Sequence, residues 1–154
     1  MCNSTSRCTP LAGAVFLTQT DTTVGFLSQD STKLQTIKSR PSDKPFIVVY
    51  KDFSTLKQHH RVPKKFQRTI RRAKKTTFII KNKALRVTPL PLNTTLLNKL
   101  SWVYSTSANE SGKSFDRSFC QQHADYTTED KNSLYEGIPS KLYKINNTTI
   151  KRLR

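Results

Sequence analysis

Short runs of apolar and β-branched residues recur along this chain, and they alternate with segments of helical periodicity. The runs at 12–17, 46–50 and 76–80 predict buried strands, and shorter ones predict strands at 84–87 and 102–106. Strands interleaved with helices are typical of an α/β sheet. No repeat or linker divides the chain, so we expect one domain over residues 11–154 after a disordered stretch at 1–10.

The remaining segments follow from periodicity and polarity. Val62, Phe66 and Ile70 fall on one apolar stripe, and Pro63 suits a first helical position. Ser31 is a candidate helix cap, with Leu34 facing inward. The pattern predicts helices at 31–37, 63–73 and 94–100, polar loops at 18–28 and 107–112, and edge strands at 142–145 and 148–150.

The charge balance is strongly basic. Lys and Arg number 27 against 10 Asp and Glu, which gives a net charge of +17, whereas small domains usually carry a magnitude of about 2–8. Eleven of the basic residues and no acidic one lie between Lys57 and Lys83. Such a block predicts contact with RNA or another polyanion. A solvated helix face remains the alternative, because Phe66, the only aromatic side chain among the basic residues of the helix, is assigned to the core.

Cysteine and histidine usage points to a reducing, cytoplasmic setting without a metal site. The three cysteines form no CxxC pair, and the early apolar run of seven residues is too short to span a membrane. His59 and His60 are adjacent, which is poor spacing for metal ligands, and His123 stands alone, so we expect solvated histidines. Cys120 has no recognisable nucleophile context.

Three polar clusters, at 20–22, 38–41 and 105–109, lie at the ends of predicted elements, where α/β sheets place ligands. Lys38 and Arg40 are spaced to clamp a polyphosphate. Arg86 stands alone in an apolar strand, where a buried charge needs a carboxylate or phosphate ligand or an ordinary ion pair. The spacing alone therefore predicts an α/β domain that binds an anion.

Read in order, these clusters carry a resemblance to a known family. The segments are 19–26 (Gln-Thr-Asp-Thr-Thr-Val-Gly-Phe), 38–41 (Lys-Ser-Arg-Pro), 84–87 (Ala-Leu-Arg-Val), 107–112 (Ser-Ala-Asn-Glu-Ser-Gly) and 139–141 (Pro-Ser-Lys). They resemble the YrdC-like family of L-threonylcarbamoyladenylate synthases. Gln19 and Val24 replace the Pro and Tyr of the family's first loop, and 73–75 replaces a Pro-Gly-Pro. The chain therefore resembles a shortened member.

The resemblance implies both a fold and a reaction. The fold would be a twisted mixed sheet flanked by helices, with a basic concave face. The reaction would combine L-threonine, bicarbonate and ATP into threonylcarbamoyl-AMP and pyrophosphate, with Mg²⁺ accompanying ATP. Threonylcarbamoyl transferase proteins would then use the product to modify tRNA. Such chemistry requires positioning and charge neutralisation and no protein nucleophile.

The resemblance also implies a role for each matched position. Lys38 and Arg40 would hold the triphosphate and its developing charge as the catalytic pair. The other nucleotide contacts would be Ser107, Asn109, Ser140 and Arg154. Threonine would be held by Thr22, Arg86, Ser105 and Thr106, with Arg86 on its carboxylate. No residue is assigned to a metal, and Asp21 is either a supporting group or a turn cap.

Two other functions stay open at this point. The basic block favours a double-stranded RNA or ribosome-binding module that reuses the fold without full catalysis. The resemblance also extends to the related domain of hydrogenase-maturation carbamoyltransferases, which implies an enzyme that adenylates a different carbamate.

Overall fold

A computed structural model describes residues 10–39, 41, 45–88, 94–129 and 131–154. The N-terminal stretch predicted to be disordered lies almost wholly outside these residues. The strands are β1 (Phe16–Gln19), β2 (Val24–Ser28), β3 (Ile47–Tyr50), β4 (Thr76–Ile80), β5 (Lys83–Val87), β6 (Trp102–Ser107), β7 (Tyr126–Thr128), β8 (Lys141–Ile145) and β9 (Ile150–Arg152). The helices are α1 (Ser31–Lys38), α2 (Phe53–His59), α3 (Gln67–Arg72), α4 (Thr94–Leu100) and α5 (Arg117–His123).

All these strands belong to one sheet, in the order β7-β1-β2-β6-β3-β5-β4-β8-β9. The pairs β1/β7, β3/β5 and β4/β8 are parallel and the other neighbours are antiparallel, so the sheet is mixed. The predicted mixed sheet flanked by helices is therefore confirmed.

Side chains that alternate along the strands divide the core between the two faces of the sheet. Val103 of β6 packs with Leu97 of α4, on the first face. The neighbouring residue Trp102 contacts the core that contains Leu56 of α2 and Ile70 of α3, on the second face. Helices α1 and α5 cover the β1–β2 end of this second face. The first face thus has a single covering helix in the described region, which leaves part of it open.

Cys120 of α5 belongs to the core of the second face and is fully buried. Burial raises the pKa of its thiol to about 11. A thiol with such a pKa stays protonated near neutral pH and is a poor nucleophile. Cys120 is therefore a packing residue.

The stretch 18–28, predicted to be a loop, instead forms most of a buried hairpin. Strand β1 runs to Gln19, four residues form the turn, and every residue of β2 is buried. The prediction was wrong because it took polarity for exposure. The Thr18, Gln19 and Ser28 side chains are polar but buried, and the Gln19 amide oxygen accepts a hydrogen bond from Tyr135 N at 3.0 Å.

The helix predictions hold in position but not in every detail. Asp30, not Ser31, caps α1, because its carboxylate accepts from Thr32 N and Lys33 N at 3.0 and 3.2 Å. The single helix predicted at 63–73 is a 3-10 turn (Lys64–Phe66) followed by α3. Helices α2 and α5 were not predicted. Each has an aspartate cap, Asp52 and Asp116 respectively, which is a signal that the sequence offered.

Two further expectations need correction. The last strand begins at Ile150, not 148, because the Asn146 side chain accepts from Thr148 N and Thr149 N and turns the chain there. His60 is half-buried, not solvated, and its Nε2 lies 2.6 Å from the Tyr50 hydroxyl. Within the described residues, no helix is long and apolar enough to cross a membrane.

Candidate functional site

A cavity of about 610 Å³ opens on the first face of the sheet, beside the region that α4 covers. Strands β5 and β6 form part of its floor, and the turn after β1, the segment before β8 and the C-terminus form its walls. Eight of the ten residues predicted for the site line it: Thr22, Arg86, Ser105, Thr106, Ser107, Asn109, Ser140 and Arg154. Residues far apart in the sequence are thus brought together around one space of the size of a small-molecule site.

The turn between β1 and β2 is shaped by Thr20. Its hydroxyl donates to Thr23 O at 2.6 Å and accepts from Thr22 N and Thr23 N, both at 3.2 Å. A hydroxyl that bonds its own local backbone in this way fixes a tight turn. The turn therefore presents Thr22 and Thr23 to the cavity in a defined conformation.

A second segment, residues 134–137, crosses over this turn. Tyr135 O accepts from Val24 N at 3.0 Å, and Gly137 N donates to the Thr23 hydroxyl at 3.1 Å. A Cβ added to Gly137 would collide with the carbonyl oxygen of Thr22. Only glycine permits so close an approach of the two backbones.

We expect the Gly137→Ala variant to lose about 1–3 kcal/mol of stability, because an atom forced into a packed contact displaces its neighbours. The threonine binding that the resemblance implies should weaken as well, since the displaced residue is Thr22. Thermal unfolding and calorimetric titration with L-threonine measure the two effects. Gly13→Ala is the matched control, as a Cβ there meets nothing within 4 Å. Equal behaviour of the two variants would contradict the assigned role of Gly137.

Arg86 reaches the cavity from β5 and is held by the turn. Its guanidinium forms an ion pair with the Asp21 carboxylate, and its Nη1 donates to the Thr22 hydroxyl at 3.2 Å. The Arg86 and Asp21 side chains are 7% and 18% exposed, so the pair is largely shielded from solvent. The ordinary ion pair that the sequence left open is therefore present, with Asp21 as its carboxylate.

Lys38 lies behind the cavity wall. The residue is 6% exposed, and its ammonium donates to Ser107 O at 3.1 Å, to Asn109 O at 2.6 Å and to Asn109 Oδ1 at 2.7 Å. Three acceptors match the three N–H groups of a lysine. The end of α1 is thereby fixed to the loop that follows β6.

The same loop uses the Asn109 side chain internally. Asn109 Oδ1 also accepts from the Ser107 hydroxyl at 2.7 Å, and its amide nitrogen donates to Lys113 O. In this arrangement Asn109 shapes the loop, while Ser107 and Asn109 both border the cavity.

The far wall is formed by Ser140 and Arg154. The buried Ser140 hydroxyl lies 2.9 Å from that of Thr77, a bond that joins β4 to the segment before β8. Arg154 donates from Nε and Nη2 to Ser140 O at 3.3 and 3.1 Å. These two hydrogen bonds to the Ser140 carbonyl oxygen hold Arg154 at the cavity edge.

The cavity wall is less basic than the sequence suggested. Among its described residues, Arg86 and Arg154 are the cations and Glu136 is the one carboxylate, and Glu136 accepts a hydrogen bond from Phe115 N at 2.7 Å. No group of three or more His, Cys, Asp or Glu side chains in the described ranges is arranged to hold a metal.

Of the nine predicted residues that the structure describes, one does not line the cavity. Lys38 stands behind it, as described above, and Arg40 lies outside the described residues. Sequence reasoning also missed lining residues, chiefly Glu136 and Gly137. The Gly-Ile-Pro sequence at 137–139 was the available signal, because it predicts a turn in a chain with only four glycines.

Comparison with known proteins shows to which family the chain belongs. The model of the Sua5/YciO/YrdC family, described as telomere recombination, matches residues 11–154. The chain belongs to this family. The resemblance inferred from the sequence motifs is therefore confirmed at the level of the family. No match was found among curated proteins.

Solved structures share the fold at low sequence identity. Sua5 of P. abyssi, solved in complex with L-threonine, is 16% identical with a TM-score of 0.74, and the match covers 94% of this chain and 51% of that one. E. coli YciO is 19% identical with a TM-score of 0.73, covering 92% and 82%. HypF of T. kodakarensis is 15% identical with a TM-score of 0.77, covering 94% and 23%. The chain spans about half the length of the Sua5 structures.

Proposed function

We propose that this chain is an L-threonylcarbamoyladenylate synthase that uses L-threonine, bicarbonate and ATP. The observation that carries the proposal is the convergence of eight motif residues around one cavity. The resemblance assigned all of these residues to one substrate site. The threonine in the solved Sua5 complex supports the choice of amino acid.

The proposed reaction has two steps. The threonine amine bonds to the carbon of bicarbonate with loss of water, which gives a carbamate. A carbamate oxygen then attacks the α-phosphorus of ATP, and the bond from that phosphorus to the bridging oxygen of pyrophosphate breaks. Negative charge develops on the α-phosphate oxygens of the transferred adenylyl group and on the leaving pyrophosphate. Catalysis therefore consists of alignment and charge stabilisation.

The threonine side of the cavity is assigned to Arg86, Thr22, Ser105 and Thr106. The Arg86 guanidinium has five N–H donors, of which the contacts to Asp21 and Thr22 use only some. We assign the others to the threonine carboxylate. Asp21 holds the guanidinium plane in place, because a bidentate or multiple contact from arginine needs a fixed orientation.

The nucleotide side is assigned to Ser107, Asn109, Ser140 and Arg154, with Arg154 as the exposed cation at the edge. Lys38 and Arg40 are assigned to the triphosphate. Lys38 also fixes the loop of Ser107 and Asn109, so it serves as a positioning residue in the ligand-free geometry. The product would pass to a threonylcarbamoyl transferase that modifies tRNA.

Exchange of labelled pyrophosphate into ATP tests the proposal. We expect exchange that requires L-threonine and bicarbonate together, since the carbamate is the attacking group. Omission of either should reduce exchange to the level without enzyme. Exchange that proceeds equally well without threonine would contradict the proposal.

The same assay distinguishes threonylcarbamoyl-AMP synthesis from the carbamate chemistry of the related carbamoyltransferase domain. Structures of HypF, which share this fold, motivate carbamoyl phosphate as the alternative substrate, given the carbamoyltransferase resemblance. We expect carbamoyl phosphate and amino acids without a β-hydroxyl to support less exchange than threonine. A preference for carbamoyl phosphate would instead indicate an enzyme that adenylates a different carbamate.

A further inference from the structure

An aromatic cleft of about 450 Å³ lies on the second face of the sheet, opposite the candidate site. Trp102 and Tyr104 of β6 contribute to its floor, with ring centroids 5.2 Å apart in an edge-on arrangement. Tyr50 of β3 is paired in register with Trp102, and it contacts His59 and His60 at centroid distances of 5.4 and 5.7 Å. Helix α1 forms the other wall.

Several rings of this cleft are partly accessible. Trp102, Tyr104 and His60 are half-buried, and His59 is exposed. Burial, together with the charges of Lys83 and His59, lowers the pKa of His60. At neutral pH its ring is therefore uncharged and suited to stacking. The described residues that line the cleft include Lys83 and no carboxylate.

A basic cleft of about 770 Å³ adjoins the aromatic cleft, and His59 and His60 line both. It contains Lys57, Arg61, Lys64, Lys65 and Lys81, and no acidic side chain lies among its described lining residues. The amides of Gln58, Asn146 and Asn147 supply neutral hydrogen-bonding groups. Part of the basic block between Lys57 and Lys83 is thus gathered beside aromatic rings that come from other strands.

We propose that these two clefts bind unpaired RNA, with a base stacked in the aromatic cleft and the adjoining phosphates in the basic cleft. Proteins that hold single strands combine these two elements, a positive groove along the backbone and aromatic rings for the bases. The amide side chains can hydrogen-bond to the 2′-hydroxyl groups that distinguish RNA from DNA. Duplex RNA fits less well, because its bases are stacked on each other and cannot enter a cleft.

This surface and the candidate site lie on opposite faces of the sheet, so the inference does not depend on the proposed catalysis. The basic block predicted polyanion binding, but the sequence pattern placed no exposed aromatic ring beside the basic residues. The sheet supplies the rings, since β3 and β6 bring Tyr50 and Trp102 next to α2. Charge and stacking are then combined in a single surface.

Trp102 makes the proposal directly measurable, because it is the only tryptophan of the chain. A base stacked in the cleft should quench its fluorescence. We expect saturable quenching when the full chain is titrated with an eight-nucleotide oligouridylate at low salt. Contacts to about four phosphates would give a slope near −3 in a plot of log affinity against log salt concentration.

Matched charge variants test the basic cleft. The double variant Lys64→Gln and Lys81→Gln should reduce the salt slope by about 1.4 and weaken binding at least tenfold, since two phosphate contacts are lost. Lys99→Gln with Lys131→Gln makes the same change in net charge at exposed positions outside both clefts. We expect this control to bind nearly as the unmodified chain does.

Three results would overturn the proposal. The first is RNA binding without any change in Trp102 fluorescence, which would place the RNA elsewhere on the basic surface. The second is equal or tighter binding of duplex RNA, and the third is equal quenching by the matched DNA oligonucleotide. Tyr104→Leu provides a second measurement that leaves the fluorophore in place, and it should weaken quenching without altering the salt slope.

Discussion

Replacement of Lys38 by alanine should lower threonine-dependent pyrophosphate release by on the order of 10²-fold or more, because a positioned cation is lost from a site of developing charge. The structure adds a second reason. The Lys38 ammonium holds Ser107 O and two oxygens of Asn109, so its removal also releases the loop assigned to the nucleotide. Initial rates with saturating threonine and bicarbonate measure the effect.

A double-mutant cycle with Asn109→Ala separates the two reasons. If Lys38 acts through the loop, the double variant should be scarcely slower than the worse single variant, since both changes disturb one unit. Lys99→Ala, an exposed lysine at the end of α4, serves as the control and should retain full activity. Unchanged turnover in Lys38→Ala would remove Lys38 from the account.

The Arg86→Met variant should lose about 3–5 kcal/mol of folding free energy, because Asp21 would remain as a buried charge without its partner. Threonine-dependent exchange should disappear as well. The exposed pair between Arg117 and Glu129 offers a matched control, as the Arg117 side chain is 45% exposed. Arg117→Met should cost much less folding free energy, because solvent screens an exposed pair. Chemical denaturation of both variants measures the difference.

Adding Asp21→Asn to Arg86→Met distinguishes stability from ligand binding. The second change removes the unpaired charge, so most of the lost stability should return. Threonine binding should not return, since the guanidinium is still absent. Recovery of both stability and threonine binding would contradict the assignment of Arg86 to the threonine carboxylate.

Much of this architecture follows from local sequence patterns. The run at 46–50 and the apolar stripe of Phe66 and Ile70 predicted a central strand and a helix correctly, because burial of apolar residues determined both. The motif order also identified eight of the residues that line the cavity. Such features depend on residue type and spacing, which the sequence displays directly.

Other features depend on contacts between distant residues. In the hairpin at 18–28, the polar side chains of Gln19 and Thr23 are bonded by the crossing segment that contains Tyr135 and Gly137. The buried Lys38 ammonium donates to oxygens of Ser107 and Asn109, which lie 69 and 71 residues further along the chain. The sequence of that loop is polar and predicts an exposed segment. The stacking of His59 and His60 on Tyr50 likewise requires the fold. Periodicity carries no information on such pairings.

The central claim is that one cavity holds a nucleotide beside an amino acid. A crystal structure of the chain with L-threonine and a non-hydrolysable ATP analogue tests it most directly. We expect the threonine carboxylate on Arg86, and the nucleotide along Ser107 and Arg154 with its α-phosphate facing the threonine amine. Saturating ligands found only outside this cavity, or threonine bound away from Arg86, would contradict the account.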